Sequence, residues 1–151
     1  MTTRVGINLL WLVPGEVGGS ETWMVDLLAA VAADHPPDIE IVCFTTAAVD
    51  DAHPFIADSF ATVRAPAVVG SSRPGRVLAE STWLAVAARR AKAAVLHHPG
   101  GTIPPVRATP AVLTVHDLQP LAFPEHFTAV NSLTAVTSRA RRAEGPSRAR
   151  R

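Results

Sequence analysis

The sequence predicts an α/β fold in which about five parallel strands form a sheet with helices packed on it. Short apolar runs alternate along the chain with segments whose apolar residues recur at helical spacing. The connections between strands are long enough for crossover helices, which favour parallel strands. The chain has 151 residues, 48% of them hydrophobic, which is enough for one core. We therefore expect one domain over residues 1–137 and a basic disordered tail over residues 138–151.

The first predicted strand covers residues 5–13, which are apolar at most positions. Ser20 is the expected N-cap of the helix that follows, and Glu21 lies in its first turn, where a carboxylate suits the helix dipole. The inward face of this helix is predicted from residues that recur three and four apart: Met24, Leu27, Leu28 and Val31.

The second predicted strand covers residues 39–45, which are rich in β-branched and aromatic residues. Its cysteine, Cys43, is the only one in the chain and is expected to be a buried strand residue without a redox role. Residues 46–59 are polar and interrupted by Pro54, so we expect a loop with at most a short helical turn. Residues 60–64 predict a weak third strand.

The second half of the chain predicts one long helix, two strands and a short helix. The long helix covers residues 76–92, about five turns. The strands cover residues 94–97 and 111–115, and the short helix covers residues 128–137. The long helix should turn four apolar residues inward: Val77, Leu78, Leu84 and Ala88.

Composition and charge exclude several classes of protein. No apolar run approaches the roughly 18 residues of a membrane span, and Asn8 with the glycines after it argues against a cleaved signal peptide. The cytoplasm is therefore the expected location. Residues 1–138 hold eight Lys and Arg against twelve Asp and Glu, whereas residues 139–151 hold six Arg and one Glu. That basic end has no interleaved aromatic residues, so a solvated tail is expected rather than a nucleic-acid site.

The glycine loop at residues 13–21 lies between the first strand and the first helix. Glycine lets a ligand approach the backbone, and the amides of a first helical turn attract anions, so the loop predicts a phosphate or sugar site. The spacing of Gly15, Gly18 and Gly19 matches neither G-x-G-x-x-G nor a P-loop. The alternative is a tight turn that binds nothing.

Two further loops follow the strands at residues 94–97 and 111–115. In a parallel sheet such loops gather at the carboxyl edge with the glycine loop, where ligands bind. The residues expected on this rim are Gly18, Gly19, His98, Gly100, Gly101, His116 and Asp117.

The histidines of these loops allow other readings. His97 and His98 could simply end a strand, and His116 with Asp117 could form a satisfied turn. A zinc site of His97, His98, His116 and Asp117 is a weaker alternative, because consecutive histidines on an extended segment face opposite ways and no HExxH is present.

Three motifs in this order resemble the N-terminal half of a glycosyltransferase of family 4, with the two-domain GT-B architecture. They are residues 17–21 (Val-Gly-Gly-Ser-Glu), 97–102 (His-His-Pro-Gly-Gly-Thr) and 113–118 (Leu-Thr-Val-His-Asp-Leu). The resemblance covers approximately residues 4–132. It implies a Rossmann-like domain that mainly holds the acceptor in retaining transfer of a sugar from a nucleotide-sugar donor.

The resemblance also implies roles for individual residues. Gly18 and Gly19 would approach the donor diphosphate through their backbone amides, and His116 would be the catalytic residue, bonded to the transferred sugar or acceptor. The remaining residues expected to bind substrate are Glu21, His98, Gly100, Gly101 and Asp117. No metal and no cofactor besides the donor substrate are implied, and the acceptor is a carbohydrate or another molecule.

The resemblance implies a second domain with the nucleotide pocket, and nothing after Asp117 supplies one. The expected partner is therefore a missing C-terminal domain, and the chain alone is expected to be inactive. The tail has the composition of GC-rich coding sequence read out of frame, which suggests a truncated gene product. The alternative is a stand-alone Rossmann-like binding or interaction module. Exposed apolar surface beside the last strand would favour the fragment over the module.

Overall fold

In the described residues the fold is a five-stranded parallel sheet with helices on both faces, as the sequence predicts. The computed structural model describes residues 2–34, 36–67, 73–104 and 109–116. The strand order is β3-β2-β1-β4-β5, and every neighbouring pair is parallel. The strands are β1 (Thr3–Asn8), β2 (Ile39–Thr45), β3 (Ala61–Arg64), β4 (Val95–His98) and β5 (Ala111–Leu113).

The strand order creates a switch point between β1 and β4. From β1 the chain adds β2 and β3 on one side, then returns to place β4 and β5 on the other. Ile7 of β1 lies opposite Cys43 of β2 and His97 of β4, so the carboxyl ends of the three central strands share one edge. A crevice at such a reversal is the usual ligand site of an open α/β sheet.

The first strand is shorter than the apolar run predicts, because a turn begins at Asn8. The Asn8 Oδ1 accepts a hydrogen bond of 3.1 Å from the Leu10 amide, and the Leu12 amide donates to the Leu9 carbonyl at 3.1 Å. Leu9, Leu10 and Leu12 are still buried, so they extend the core without extending the strand. Hydropathy alone does not separate such a buried turn from a strand.

The helices are α1 (Gly19–Asp34), α2 (Ala47–Ala52), α3 (Phe55–Ser59), α4 (Arg73–Ser81) and α5 (Trp83–Arg90). The expected loop over residues 46–59 is therefore wrong, because it holds two short helices. Thr46 caps α2 by accepting the Val49 amide at 3.4 Å, and Pro54 is the N-cap residue directly before α3. Val49 and Ile56 are fully buried, so packing stabilises helices that their composition does not indicate.

The first helix begins two residues earlier than Ser20 as N-cap would require, so the expected cap is wrong. Gly19 is its first residue, and the Gly18 carbonyl accepts the Glu21 amide at 3.0 Å. Glu21 lies in the first turn, as predicted. Met24 and Leu28 are buried, but Leu27 is exposed because it faces away from the sheet.

The predicted long helix is two helices, α4 and α5, separated at Thr82. The Thr82 Oγ1 donates to the Leu78 carbonyl at 2.7 Å, and the Ser81 Oγ donates to the Val77 carbonyl at 3.0 Å. Hydroxyls bonded to carbonyls four residues earlier bend helices, and Thr82 itself has a non-helical backbone.

This break changes which residues of α4 face the core. Leu84 and Ala88 of α5 are buried as predicted, whereas Val77 and Leu78 are 56% and 65% exposed. Glu80 takes an inward position of α4, four residues before Leu84. A carboxylate therefore reaches the core where an apolar side chain was expected.

The core has two parts, one on each face of the sheet. On the face of α4 and α5, the buried cluster comprises Leu10, Val42, Phe44, Ala65, Ala79, Leu84, Ala87, Ala88 and Leu96. On the face of α1, α2 and α3, it comprises Ile7, Leu9, Leu12, Met24, Leu28, Cys43, Val49 and Ile56. Neighbours in β2 alternate between the two, as the pleat requires. The expectation that Cys43 is buried is confirmed, and burial raises the pKa of its thiol to about 12.

The chain divides into two units, residues 1–114 and 115–151. The first holds every element named above. Val115 and His116 are the described residues of the second, and both are exposed. The predicted helix over residues 128–137 and the predicted tail over residues 138–151 lie outside the described residues. Among the helices that the structure describes, none combines the length and apolar character that crossing a bilayer requires.

Candidate functional site

The glycine loop leads from β1 into α1 at the carboxyl edge of the sheet. Gly18 has a φ of +59°, a conformation that L side chains rarely adopt, and both Gly18 and Gly19 are exposed. A Cβ added at either position would meet no atom within 4 Å. The backbone of these two residues is therefore open to an approaching ligand at the start of a 16-residue helix.

Glu21 holds this loop in shape. Its Oε2 accepts the Gly15 amide at 2.8 Å, and its Oε1 lies 2.8 Å from the His53 Nε2. These contacts lower the pKa of the Glu21 carboxyl, the Gly15 hydrogen bond contributing most. The carboxylate predicted to bind substrate is thus already engaged within the loop. His53 is half-buried where it forms this pair.

The loop after β4 packs directly against the loop after β1. A Cβ at Gly100 would lie 2.8 Å from the Trp11 Cβ and Cδ2, closer than van der Waals contact allows. Gly100 is therefore required for packing. Gly101 has a φ of +78°, and a Cβ there would meet nothing within 4 Å. The structure thus brings two of the three predicted loops together.

His98 ends β4 and is fully buried beside Asn8, which ends β1. The Asn8 Nδ2 lies 3.3 Å from the His98 Nδ1 and donates to the Glu80 Oε1 at 3.0 Å. Burial raises the pKa of the Glu80 carboxyl, and the Asn8 hydrogen bond and the charge of Arg76 oppose this only in part. A buried polar network thus lies at the switch point.

Asn8 and Glu80 are site residues that the sequence reasoning missed. Asn8 is the one side chain that can hydrogen-bond strongly within an otherwise apolar run before Trp11, and Glu80 stands four and eight positions before the inward residues Leu84 and Ala88. A polar residue on a buried strand or on the inward stripe of a helix was the available signal, because such residues require partners.

His97 lies in a different environment from His98. Its Nε2 lies 2.7 Å from the Thr114 Oγ1, just beyond the end of β5, while His98 joins the network on the side of α4. The two imidazoles therefore lie in separate surroundings, as alternation along a strand requires. Within the described part of the chain, no three His, Cys, Asp or Glu side chains are grouped to hold a metal ion.

The two remaining predicted site residues follow β5. His116 is exposed and belongs to the second unit of the chain. Asp117 lies outside the described residues. Within the first unit, the rim therefore consists of the loop after β1, the loop after β4 and the network of Asn8, Glu80 and His98.

A surface cleft of about 320 Å³ lies at the opposite edge of the sheet. Residues from the end of α1, the start of β2 and the start of β3 line it, among them Val31, Ile39, Phe60 and Ala61. These are amino-terminal positions of the strands, so the cleft is separate from the switch point. The volume of this cleft alone does not favour it over the rim as the candidate site.

Fold and site together define a Rossmann-like α/β protein with a polar rim at its switch point. Comparison of the chain with models of protein families, with curated proteins and with solved structures found no match. The function must therefore be argued from this rim and from the sequence motifs.

Proposed function

We propose that this chain is the acceptor-side domain of a retaining glycosyltransferase of family 4 and that it acts in sugar transfer from a nucleotide-sugar donor. A second domain of the GT-B type would hold the nucleotide. In this proposal the chain by itself does not turn over the donor, because the fixed charges that stabilise a departing diphosphate are shared between two domains.

The observation that carries the proposal is the pair of open glycines at the switch point. Gly18 and Gly19 are exposed and leave room for a ligand against the backbone; Gly18 directly precedes α1 and Gly19 is its first residue. Backbone amides and a helix dipole suit a diphosphate and need no basic side chain. Glu21 supports this arrangement through its bond to Gly15, so its contribution to substrate binding is to fix the loop.

His116 is proposed to hydrogen-bond the transferred sugar or the acceptor, with Asp117 beside it. Imidazole can donate or accept a proton near neutral pH, which suits recognition of hydroxyl groups. His98, Gly100 and Gly101 would complete the acceptor side. In this proposal the transfer uses neither a metal ion nor a cofactor, and the protein acts in the cytoplasm.

The proposal is tested by titrating the ¹⁵N-labelled chain with a panel of nucleotide sugars. We expect saturable shifts of the Gly18 and Gly19 amides. The Gly15 amide is the internal control, because Glu21 already occupies it. Shifts centred on Phe60 and Ile39 would instead place binding in the cleft at the opposite edge and contradict the proposal.

Turnover provides the second test. The chain alone is expected to show no transfer, and activity is expected when a donor-binding domain is supplied. In that assay His116→Ala should lower kcat about 100-fold, the scale for losing one fixed hydrogen bond to the reacting groups. His126→Ala, outside the motif, is the control. Robust turnover by the chain alone would contradict the proposed division between domains.

A stand-alone binding module is the other candidate. Among the described strands β5 lies at one end of the sheet, and its Val112 is 53% exposed, which in this proposal favours further structure at this edge over a self-contained module. Cooperative unfolding together with saturable binding of a ligand other than a nucleotide sugar would support the module.

A further inference from the structure

Three buried polar side chains from three elements meet at the switch point. Asn8 from β1 is 1% exposed, Glu80 from α4 is 7% exposed and His98 from β4 is fully buried. Burying such groups is costly unless their hydrogen bonds are made. Each of these side chains therefore depends on its partners at the switch point.

The orientation of the Asn8 amide is determined by the backbone. The Leu10 N–H can only donate, and it lies 3.1 Å from one end of the amide, so that end is the oxygen. The NH₂ end must then face the other two partners, the Glu80 Oε1 at 3.0 Å and the His98 Nδ1 at 3.3 Å. Flipping the amide would place its NH₂ against the Leu10 N–H, and two donors cannot bond to each other.

This orientation determines the protonation of the neighbouring imidazole. An NH₂ group cannot accept a hydrogen bond, so the His98 Nδ1 must be the acceptor and carry no proton. We infer that Asn8 is a positioning residue: it holds His98 as the neutral tautomer with its proton on Nε2, and it joins the ends of β1, β4 and α4 at the switch point.

The consequence reaches the two loops that form the rim. The same amide that orients His98 also fixes the turn at Leu10, which leads to Trp11 and its contact with Gly100. One side chain, Asn8, thereby sets which nitrogen of His98 carries the proton and also supports the conformation of both loops. A role of His98 in a carbohydrate site rests on the proposed function. The assignment of its tautomer rests only on the hydrogen bonds of Asn8.

Nitrogen-15 NMR of the imidazole rings tests the inference directly in the unmodified chain. At neutral pH we expect an unprotonated Nδ1 and a protonated Nε2 for His98. A protonated Nδ1 in the wild-type protein would overturn the inference, and this measurement requires no variant to fold.

Two variants show whether Asn8 sets the tautomer. In Asn8→Asp, once the new carboxyl is ionised, an oxygen that can only accept replaces the NH₂, so the proton should move to the His98 Nδ1. Glu80→Gln is the matched variant, because its amide oxygen can still accept from Asn8 and the tautomer should persist. His97, bonded to Thr114, should keep its resonances in both variants.

The outcomes separate this inference from the proposed function. An Asn8→Asp protein that keeps Nδ1 unprotonated, or a Glu80→Gln protein that protonates it, would overturn the role of Asn8. If the tautomer behaves as expected while no nucleotide sugar perturbs Gly18 and Gly19, the positioning role stands and the glycosyltransferase proposal fails.

Discussion

The two glycine loops at the switch point use the same residue type for opposite reasons. Gly19 faces open space, so a side chain there would meet no neighbour within 4 Å. Gly100 lies against Trp11, and a Cβ there would overlap the indole. A sequence shows both as glycine in a loop after a strand. Only the packing shows which backbone is open to a ligand and which allows the loops to meet.

The largest effect is expected at Gly100. Gly100→Ala places a Cβ 2.8 Å from the Trp11 Cβ, so one loop must move, and such overpacking costs about 1–3 kcal/mol of unfolding free energy. Urea unfolding measures this loss. The double variant Gly100→Ala with Trp11→Ala should recover part of it through a favourable coupling of the two changes. Strictly additive losses would show that the two loops do not contact each other.

Gly18→Ala is expected to cost less, for a backbone reason. The φ of +59° is strained for any residue with a Cβ, by about 1–2 kcal/mol, although the space around Gly18 is empty. Because no neighbour overlaps, removing Trp11 should not relieve this cost. A Trp11→Ala background that restores stability to Gly18→Ala would show that packing, not conformation, requires this glycine.

The sequence predicted the sheet better than the site, and particular residues explain why. The second strand is confirmed with its predicted bounds over residues 39–45, because a β-branched run between turn signals has few alternatives. The helix break at Thr82 depends on hydroxyl groups bonding to carbonyls one turn back, which periodicity does not reveal. Glu80 meets Asn8 across 72 positions of the sequence, and neither local pattern encodes that contact.

The two carboxyls that support the rim should respond to pH in opposite ways. Burial raises the pKa of Glu80 above 4.5, so its contribution favours folding at low pH and is lost as pH rises through the folded-state pKa. Hydrogen bonds lower the pKa of Glu21 below 4.5, so its stabilisation is present above pH 4.5 and is lost as pH falls through its folded-state pKa.

Unfolding free energies measured from pH 3 to 8, roughly the range over which both groups titrate, test these signs. Glu80→Gln should remove a decline in stability above pH 4.5, and Glu21→Gln should remove a decline below it. Each variant is the control for the other. A Glu80→Gln profile parallel to that of the wild type would mean that the network holds its carboxyl without a net burial penalty.

The smallest change in stability, and the most informative for function, is expected for Gly19→Ala. Gly19 is the first residue of α1 and has no positive φ, and a Cβ added there would meet no neighbour within 4 Å. Alanine should therefore stabilise the fold by about 0.4–1 kcal/mol, because it lowers the conformational entropy of the unfolded chain. If the backbone there receives a diphosphate, the same methyl group obstructs it and should weaken nucleotide-sugar binding. A variant with a higher urea midpoint and lower affinity would separate function from folding at one position, because no loss of structure could explain the weaker binding. A variant that is more stable and binds as the wild type does would remove Gly19 from the site.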